Sequence, residues 1–174
     1  MNFRDLSYLQ TGTAVQQEIY QLLDTHQVMQ ILAIHDPVLI GTYPIDIAIA
    51  SSDLDICCTY QDKVSFISLV NRYFGHYPGY QVREKQACGE AAVVVGFFIG
   101  TYEVELFAQS IPVESQNGYR HMLVEHQLLV QQGEAFKQAI IALKEAGLKT
   151  EPAFAKLLNL QGDPYEALLQ FGQK

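Results

Sequence analysis

The chain has 174 residues, 49% of them apolar and 11% aromatic. That is enough for one sizeable core, or an α/β core with a helical extension, and it excludes a disordered or low-complexity chain. Nineteen acidic residues against eleven basic ones give a net charge of −8. With no basic cluster in the sequence, a polynucleotide partner is disfavoured, since nucleic-acid binders draw much of their affinity from Lys and Arg against phosphates.

Cys57, Cys58 and Cys88 lack the paired spacing of a zinc site or a disulfide framework, so reduced and mostly buried thiols are expected. Met1 to Asp5 shows no apolar signal region, and no apolar run reaches the roughly 18 residues of a membrane span. A cytoplasmic location is the expectation.

In chain order, Phe3 to Gln10 suggests a short helix. Thr13 then caps a longer one running to about Asp24, with Val15, Ile19, Leu22 and Leu23 on one face. Pro37 to Gly41 reads as a short buried strand entering a Gly-Thr turn, and Asp53 to Tyr60 as a second strand. Asp62 caps a helix to about Gly75, whose apolar residues are Val64, Phe66, Ile67, Leu69, Val70, Tyr73 and Phe74. After Pro78-Gly79 come strands at Tyr80 to Ala87, Glu90 to Ile99 and Tyr102 to Gln109. Gly100-Thr101 between the last two suits a type II′ hairpin, which places Gly first. Helices are expected near 113–130, 134–146, 151–160 and 164–171, with Gly147 as a stop and Asp163-Pro164-Tyr165-Glu166 as a cap with an N1 proline. The expected architecture is α/β (α+β): a mixed sheet with flanking helices over 1–110 and a small helical part over 111–174 packed on it.

The most informative stretch runs from Gly41-Thr42 to Ser52-Asp53-Leu54-Asp55-Ile56. Side chains alternate along a strand, so Asp53 and Asp55 point the same way. Two adjacent carboxylates repel, and a site that keeps both charged holds a cation between them. All-oxygen ligation of this kind suits Mg²⁺ or Mn²⁺ carrying a phosphate substrate. A third acid comes from Tyr102-Glu103-Val104-Glu105-Leu106-Phe107, in which Glu103 and Glu105 share a face; Glu105, between two apolar residues, is favoured, with Glu103 as runner-up.

This series resembles the Gly-Ser, Asp-x-Asp and hydrophobic-acid-hydrophobic pattern of the nucleotidyltransferase superfamily, which includes DNA polymerase beta and the aminoglycoside nucleotidyltransferases. Ser52-Asp53-Leu54-Asp55-Ile56, Glu105-Leu106-Phe107-Ala108-Gln109, Tyr119-Arg120-His121-Met122 and Gly147-Leu148-Lys149-Thr150-Glu151-Pro152-Ala153-Phe154 also resemble a bacterial domain family of unknown function with a nucleotidyltransferase-like fold. The resemblance implies that Gly41 and Thr42, with Ser52 beside the acids, contact the triphosphate. It implies that Asp53 and Asp55 bind metal and that Glu105 completes the site. Backbone N–H groups after Gly41-Thr42 would cradle phosphate if a helix begins there. Small transferases often carry Arg before the acid pair; this chain has Tyr43 to Ala50 instead.

Arg120 is a candidate phosphate or acceptor contact. His121 and His126 read as core residues, His126 on an apolar face with Tyr119, Met122, Leu123 and Val130. Arg83 and Lys85 share a solvated strand face. Cys57 reads as a small buried hydrophobe rather than a nucleophile, and Lys149 and Glu151 carry no assigned role. The leading expectation is an Mg²⁺-dependent nucleotidyltransferase that uses an NTP and an unidentified small-molecule or protein acceptor, with no membrane partner and the oligomeric state open. The competing one is a catalytically silent binding or regulatory module acting through a protein partner; an interaction protein using its acidic surface comes third.

Overall fold

The computed structural model describes residues 1–87 and 89–172. Helices α1 (Ser7–Gln10), α2 (Ala14–Thr25) and α3 (Val28–Ile31) and a 3-10 turn at Ala33–His35 precede the first strand. Strands β1 (Val38–Ile40) and β2 (Leu54–Thr59) follow, then α4 (Lys63–Phe74), β3 (Gln81–Ala87), β4 (Glu90–Ile99) and β5 (Tyr102–Gln109). A 3-10 turn at Val113–Ser115 leads into α5 (Asn117–Gln132), α6 (Glu134–Glu145), α7 (Thr150–Leu157) and α8 (Pro164–Phe171).

The strands form one mixed sheet in the order β1-β2-β5-β4-β3, with β2 and β5 parallel and the other neighbours antiparallel. Only a crossover can make β2 and β5 parallel, and the segment from α4 to β4 supplies it. The two-residue β4–β5 connection has Gly100 at φ +60° and Thr101 outside the positive-φ set, as a type II′ turn requires.

Period-two alternation sorts the side chains to two faces, each with its own core. Leu54, Ile56 and Cys58 of β2, Val104, Leu106 and Ala108 of β5, and Val93, Val95, Phe97 and Ile99 of β4 face the first core, beneath α1 to α4. The second core lies between Val38, Ile40 and Cys57 on the sheet and α5 to α8, joining Met122, Leu128, Ile140, Phe154 and Leu168. Phe3, Ile45 and Ile47 from the first part of the chain enter this second core, so it is shared by the sheet part and the helical part.

Two amphipathic faces are rotated from their expected positions. In α2 the buried residues are Gln16, Ile19 and Leu23, whereas Val15 is 46% exposed. Gln16 is drawn inward because its amide donates to the carbonyls of Tyr43 (2.9 Å) and Pro44 (3.3 Å), while its backbone N–H completes a capping box with Thr13. In α5 the buried stripe is His121, Met122, Glu125, Leu128 and Leu129; Leu123 and Val130 face outward. His126 is half-buried and sits edge-on to Phe3. On α4, Val64 and Tyr73 are likewise exposed, and the packed stripe is Phe66, Val70 and Phe74.

Cys57 and Cys58 are free and buried; Cys88 lies outside the described residues. Among the described residues no helix is long and apolar enough to cross a membrane.

Candidate active site

A cavity of about 860 Å³ opens between the second sheet face and the helical part, within the size range of small-molecule sites. Its floor is the sheet. Asp55 on β2 pairs in register with Glu105 on the parallel β5, so both carboxylates leave the same face from adjacent strands. Asp53 precedes the strand on the same side and is exposed, whereas Asp55 is half-buried. Glu103 follows the same alternation two residues earlier on β5, is also exposed and does not line the cavity.

Burial pushes the Asp55 carboxyl well above the usual carboxylate range, and the charges of Asp53, Glu105 and Glu151 push it further. Glu105 is also raised, first by burial, with Lys85 and Arg83 opposing. Groups displaced in this way mark functional sites more often than chance. The donors are hard oxygens on rigid neighbouring strands, and their raised proton affinity is what a nearby cation would reverse, so the residues fit Mg²⁺ or Mn²⁺. Among the described residues no three Asp, Glu, His or Cys side chains stand together as a ready-made metal cluster. Glu105 instead lies 3.4 Å from an Arg83 guanidinium nitrogen.

Gly41 sits against this acid set. Its φ is +75°, and a Cβ at that position would lie 2.6 Å from Asp55 Oδ2, so glycine meets both the backbone and the space requirement. Gly41, Thr42 and Ser52 line the cavity. The chain after Gly41-Thr42 turns without starting a helix: Ile47 N–H donates to the Thr42 carbonyl (3.1 Å) and Asp46 adopts φ +56°. The helix N-terminal phosphate cradle considered for this point is therefore corrected to an irregular turn. That turn is held from several sides. Tyr43, Ile45 and Ile47 are buried, Lys137 pairs with Asp46, and the Ser52 hydroxyl accepts the Ile49 N–H at 3.0 Å.

The opposite wall comes from the helical part. His121 and Glu125 project one turn apart from α5, Lys144 comes from α6, and Lys149, Thr150 and Glu151 from the start of α7. Lys144 is buried and donates to the Ile47 carbonyl at 2.6 Å. Burial pulls its pKa down to about 8, against the opposing charges of Glu125, Asp53, Glu151 and Asp55. His121 Nε2 lies 2.9 Å from the Tyr165 carbonyl, which fixes that nitrogen as the donor, and Nδ1 faces Glu151 at 3.7 Å. Glu125 is buried, its Oε1 has no hydrogen-bond partner among the described residues, and burial followed by the charge of Glu151 raises it well above the carboxylate range.

Arg120 does not line the cavity: its guanidinium donates to Asn117 Oδ1 at 3.1 Å. Cys57 lines it, but burial and the neighbouring Asp55 push its thiol up to about 12, opposite to what a thiolate nucleophile needs. Lys85, read from the sequence as solvated, reaches the cavity edge and lies 5.1 Å from the Phe107 ring centroid. Sequence reasoning missed Glu125 and Lys144 and gave His121 to the core. The signal was present in α5, where His121 and Glu125 interrupt an otherwise apolar stripe.

Residues 21–171 match the family model DUF4269, described as a domain of unknown function. No curated protein matches the chain. Among solved structures, a mutant Cid1 poly(U) polymerase bound to MgATP superposes with a TM-score of 0.54 at 13% identity, covering 87% of this chain and 47% of that one. The polymerase core of TRAMP, an RNA surveillance complex, gives 0.52 at 14% identity, over 94% and 50%. The GLD-2/RNP-8 complex gives 0.50 at 14%, over 82% and 56%. The chain thus spans about half the length of these proteins. The fold is that of the nucleotidyltransferases.

Proposed function

The chain belongs to the DUF4269 family, and we propose that it is a metal-dependent nucleotidyltransferase that moves NMP from an NTP to an acceptor hydroxyl. The observation that carries this reading is the in-register pairing of Asp55 with Glu105 on the cavity floor, with Gly41 pressed against Asp55. Asp53, Asp55 and Glu105 would hold Mg²⁺ or Mn²⁺, which when bound offsets phosphate charge and activates the acceptor oxygen. The MgATP bound to one structural neighbour supports that choice of cation.

The remaining work falls to this chain's own groups. Gly41, Thr42 and Ser52 shape the turn along which the triphosphate lies, and Lys144 and Lys149 face it from the other wall. In the transfer the acceptor oxygen bonds the α-phosphorus, the bond from that phosphorus to the bridging oxygen breaks, and pyrophosphate leaves. The hydroxyl proton passes to Asp55 or Glu105 acting as general base. The net charge of −8 argued against nucleic acid. The neighbours lend that exclusion no support, since they include a poly(U) polymerase and the core of an RNA surveillance complex. The acceptor is a hydroxyl of RNA, of a protein or of a small molecule.

The irregular turn after Thr42 and the Arg83–Glu105 contact favour a second reading, a binding module without turnover. Incubation of the pure protein with each NTP and Mg²⁺ or Mn²⁺ separates the two. Metal-dependent pyrophosphate release is expected of the enzyme, and NTP binding without release is expected of the module.

A further inference from the structure

The cavity runs across the sheet, from Gly41 and Thr42 just beyond β1, over Asp55 and Glu105, to Lys85 and Ala87 on the edge strand β3. Strand register sets Ile40, Asp55, Glu105, Gly96 and Gln81 in one row, so Gly96 adjoins the acid pair on the side away from the Gly41 turn. Gly96 raises no side chain there, and the next row along places Phe107, Val94 and Arg83 side by side. Alternation sends Arg83 and Lys85 to the face of the acids. Their contacts agree: an Arg83 guanidinium nitrogen lies 3.4 Å from Glu105, and Lys85 Nζ lies 5.1 Å from the Phe107 ring centroid. Among the described strand residues these are the only cations on that face.

In phosphoryl chemistry the attacking and leaving oxygens lie roughly in line. With the triphosphate along the turn at Gly41, Thr42 and Ser52, the acceptor hydroxyl reaches the acids from the opposite side, over β4 and β3. We infer that this strip is the acceptor subsite, and that the acceptor is a small molecule whose phosphate monoester is held by Arg83 and Lys85 while its hydroxyl meets Asp55 and Glu105. The direction of approach rests on the nucleotidyltransferase reading of the cavity. Both cations are within reach of a ligand: the Arg83 side chain is 57% exposed, and Lys85 is exposed. The fold has little need of either, since exposed ion pairs add little stability, and the guanidinium keeps further N–H donors beyond the one aimed at Glu105. Two cations on one strand face match a phosphate monoester, which carries about two negative charges at neutral pH. A longer polyanion fits poorly, because the exposed Glu90 on β4 and Glu103 on β5 stand on the same face and bracket the pair along the strands.

The test is direct binding to the intact protein by calorimetry, with a non-hydrolysable ATP analogue and Mg²⁺ already present so that the turn is filled. Inorganic phosphate and glycerol 3-phosphate are the probes, glycerol and an oligo(A) RNA without a terminal phosphate are the comparisons, and the ATP analogue is also titrated alone. Glycerol 3-phosphate should bind the wild type and glycerol should not. The double variant Arg83→Gln, Lys85→Gln should weaken that binding at least about tenfold, as loss of charge-assisted contacts does, and should bind the ATP analogue as the wild type does. Lys85→Gln alone leaves the Arg83–Glu105 contact in place and should show a smaller loss in the same direction. Both variants should melt close to the wild type, because the side chains are exposed. Failure of both phosphates to bind, equal binding of glycerol, unchanged affinity in the double variant, or oligo(A) binding that the double variant weakens would overturn the inference. A protein that binds no ATP analogue yet loses glycerol 3-phosphate in the double variant would sink the transferase reading and leave the phosphate site standing.

Discussion

The two walls of the cavity are built by opposite means. On the sheet side, functional atoms come from adjacent strands in fixed register, so Asp55 and Glu105 are set by backbone hydrogen bonds alone. On the helical side, His121, Glu125, Lys144 and Glu151 come from three different helices and meet only because the second core packs them together. Between the walls, Lys144 reaches across to the Ile47 carbonyl and ties the helices to the loop ahead of Asp53. One wall is thus fixed by strand register and the other by helix packing.

The largest effect that would break this comparison lies on the sheet. Asp55→Asn should lower nucleotidyl transfer roughly 10³-fold, the scale of losing one well-placed electrostatic group. Because the wild-type carboxyl is raised by burial and by Asp53 and Glu105, the mutant should melt at or above the wild type without metal. Mn²⁺ should raise the wild-type melting temperature in a concentration-dependent way and the mutant's much less. Melts with and without Mn²⁺, alongside pyrophosphate release, check this. A mutant that melts lower yet keeps its metal response would make Asp55 a structural residue.

Gly41→Ala comes next. A Cβ there is strained by the positive φ and collides with Asp55 Oδ2, so stability should fall by about 1–2 kcal/mol and transfer should fall with it as the carboxylate shifts. Chemical denaturation measures the first and pyrophosphate release the second. Loss of stability with full activity would separate the turn from the site.

Which side was legible in the sequence follows from the same contrast. Period two is a local property, so the shared face of Asp53 and Asp55 and that of Glu103 and Glu105 can be read from the residues, and the strands and the type II′ hairpin follow from the same alternation. Glu105 is favoured over Glu103 by its apolar flanks, but that Asp55 faces it in register is set only by the fold. The helical wall depends on how α5 to α8 pack, and a stripe misjudged by about one residue puts His126 inside and leaves Glu125 unnoticed. Gln16 shows the same limit: a polar residue turned inward because a loop nearly thirty positions away needs its amide. No helix begins after Thr42, because a left-handed residue at Asp46 and buried Ile45 and Ile47 hold the chain in an irregular turn.

A pH titration sharpens the reading of the packed wall. The folded state holds a proton on Glu125 above the ordinary value of 4.5, where the unfolded chain has released it. The folded state then binds more protons, so stability contributed by this group falls as pH rises from about 4.5 toward its folded value. Glu125→Gln removes that slope. Melting temperature against pH should therefore decline less steeply for the mutant than for the wild type above pH 4.5, and parallel curves would show that Glu125 has no raised proton affinity.

The smallest expected effect marks where the helical wall stops. Arg120 follows Tyr119 on α5 just before His121, but its guanidinium donates to Asn117 Oδ1 on the same helix instead of entering the cavity. Asn117 lines the cavity edge, so any influence of Arg120 passes through how that amide is held. Surface contacts of this kind are worth about 0.5 kcal/mol or less, equivalent to roughly a twofold change. Arg120→Ala should therefore alter KM for the NTP by no more than about twofold and leave kcat unchanged, as steady-state pyrophosphate release would show. A tenfold or larger rise in KM would instead put the guanidinium on a phosphate, and the helical wall of the cavity would then extend one residue further around α5.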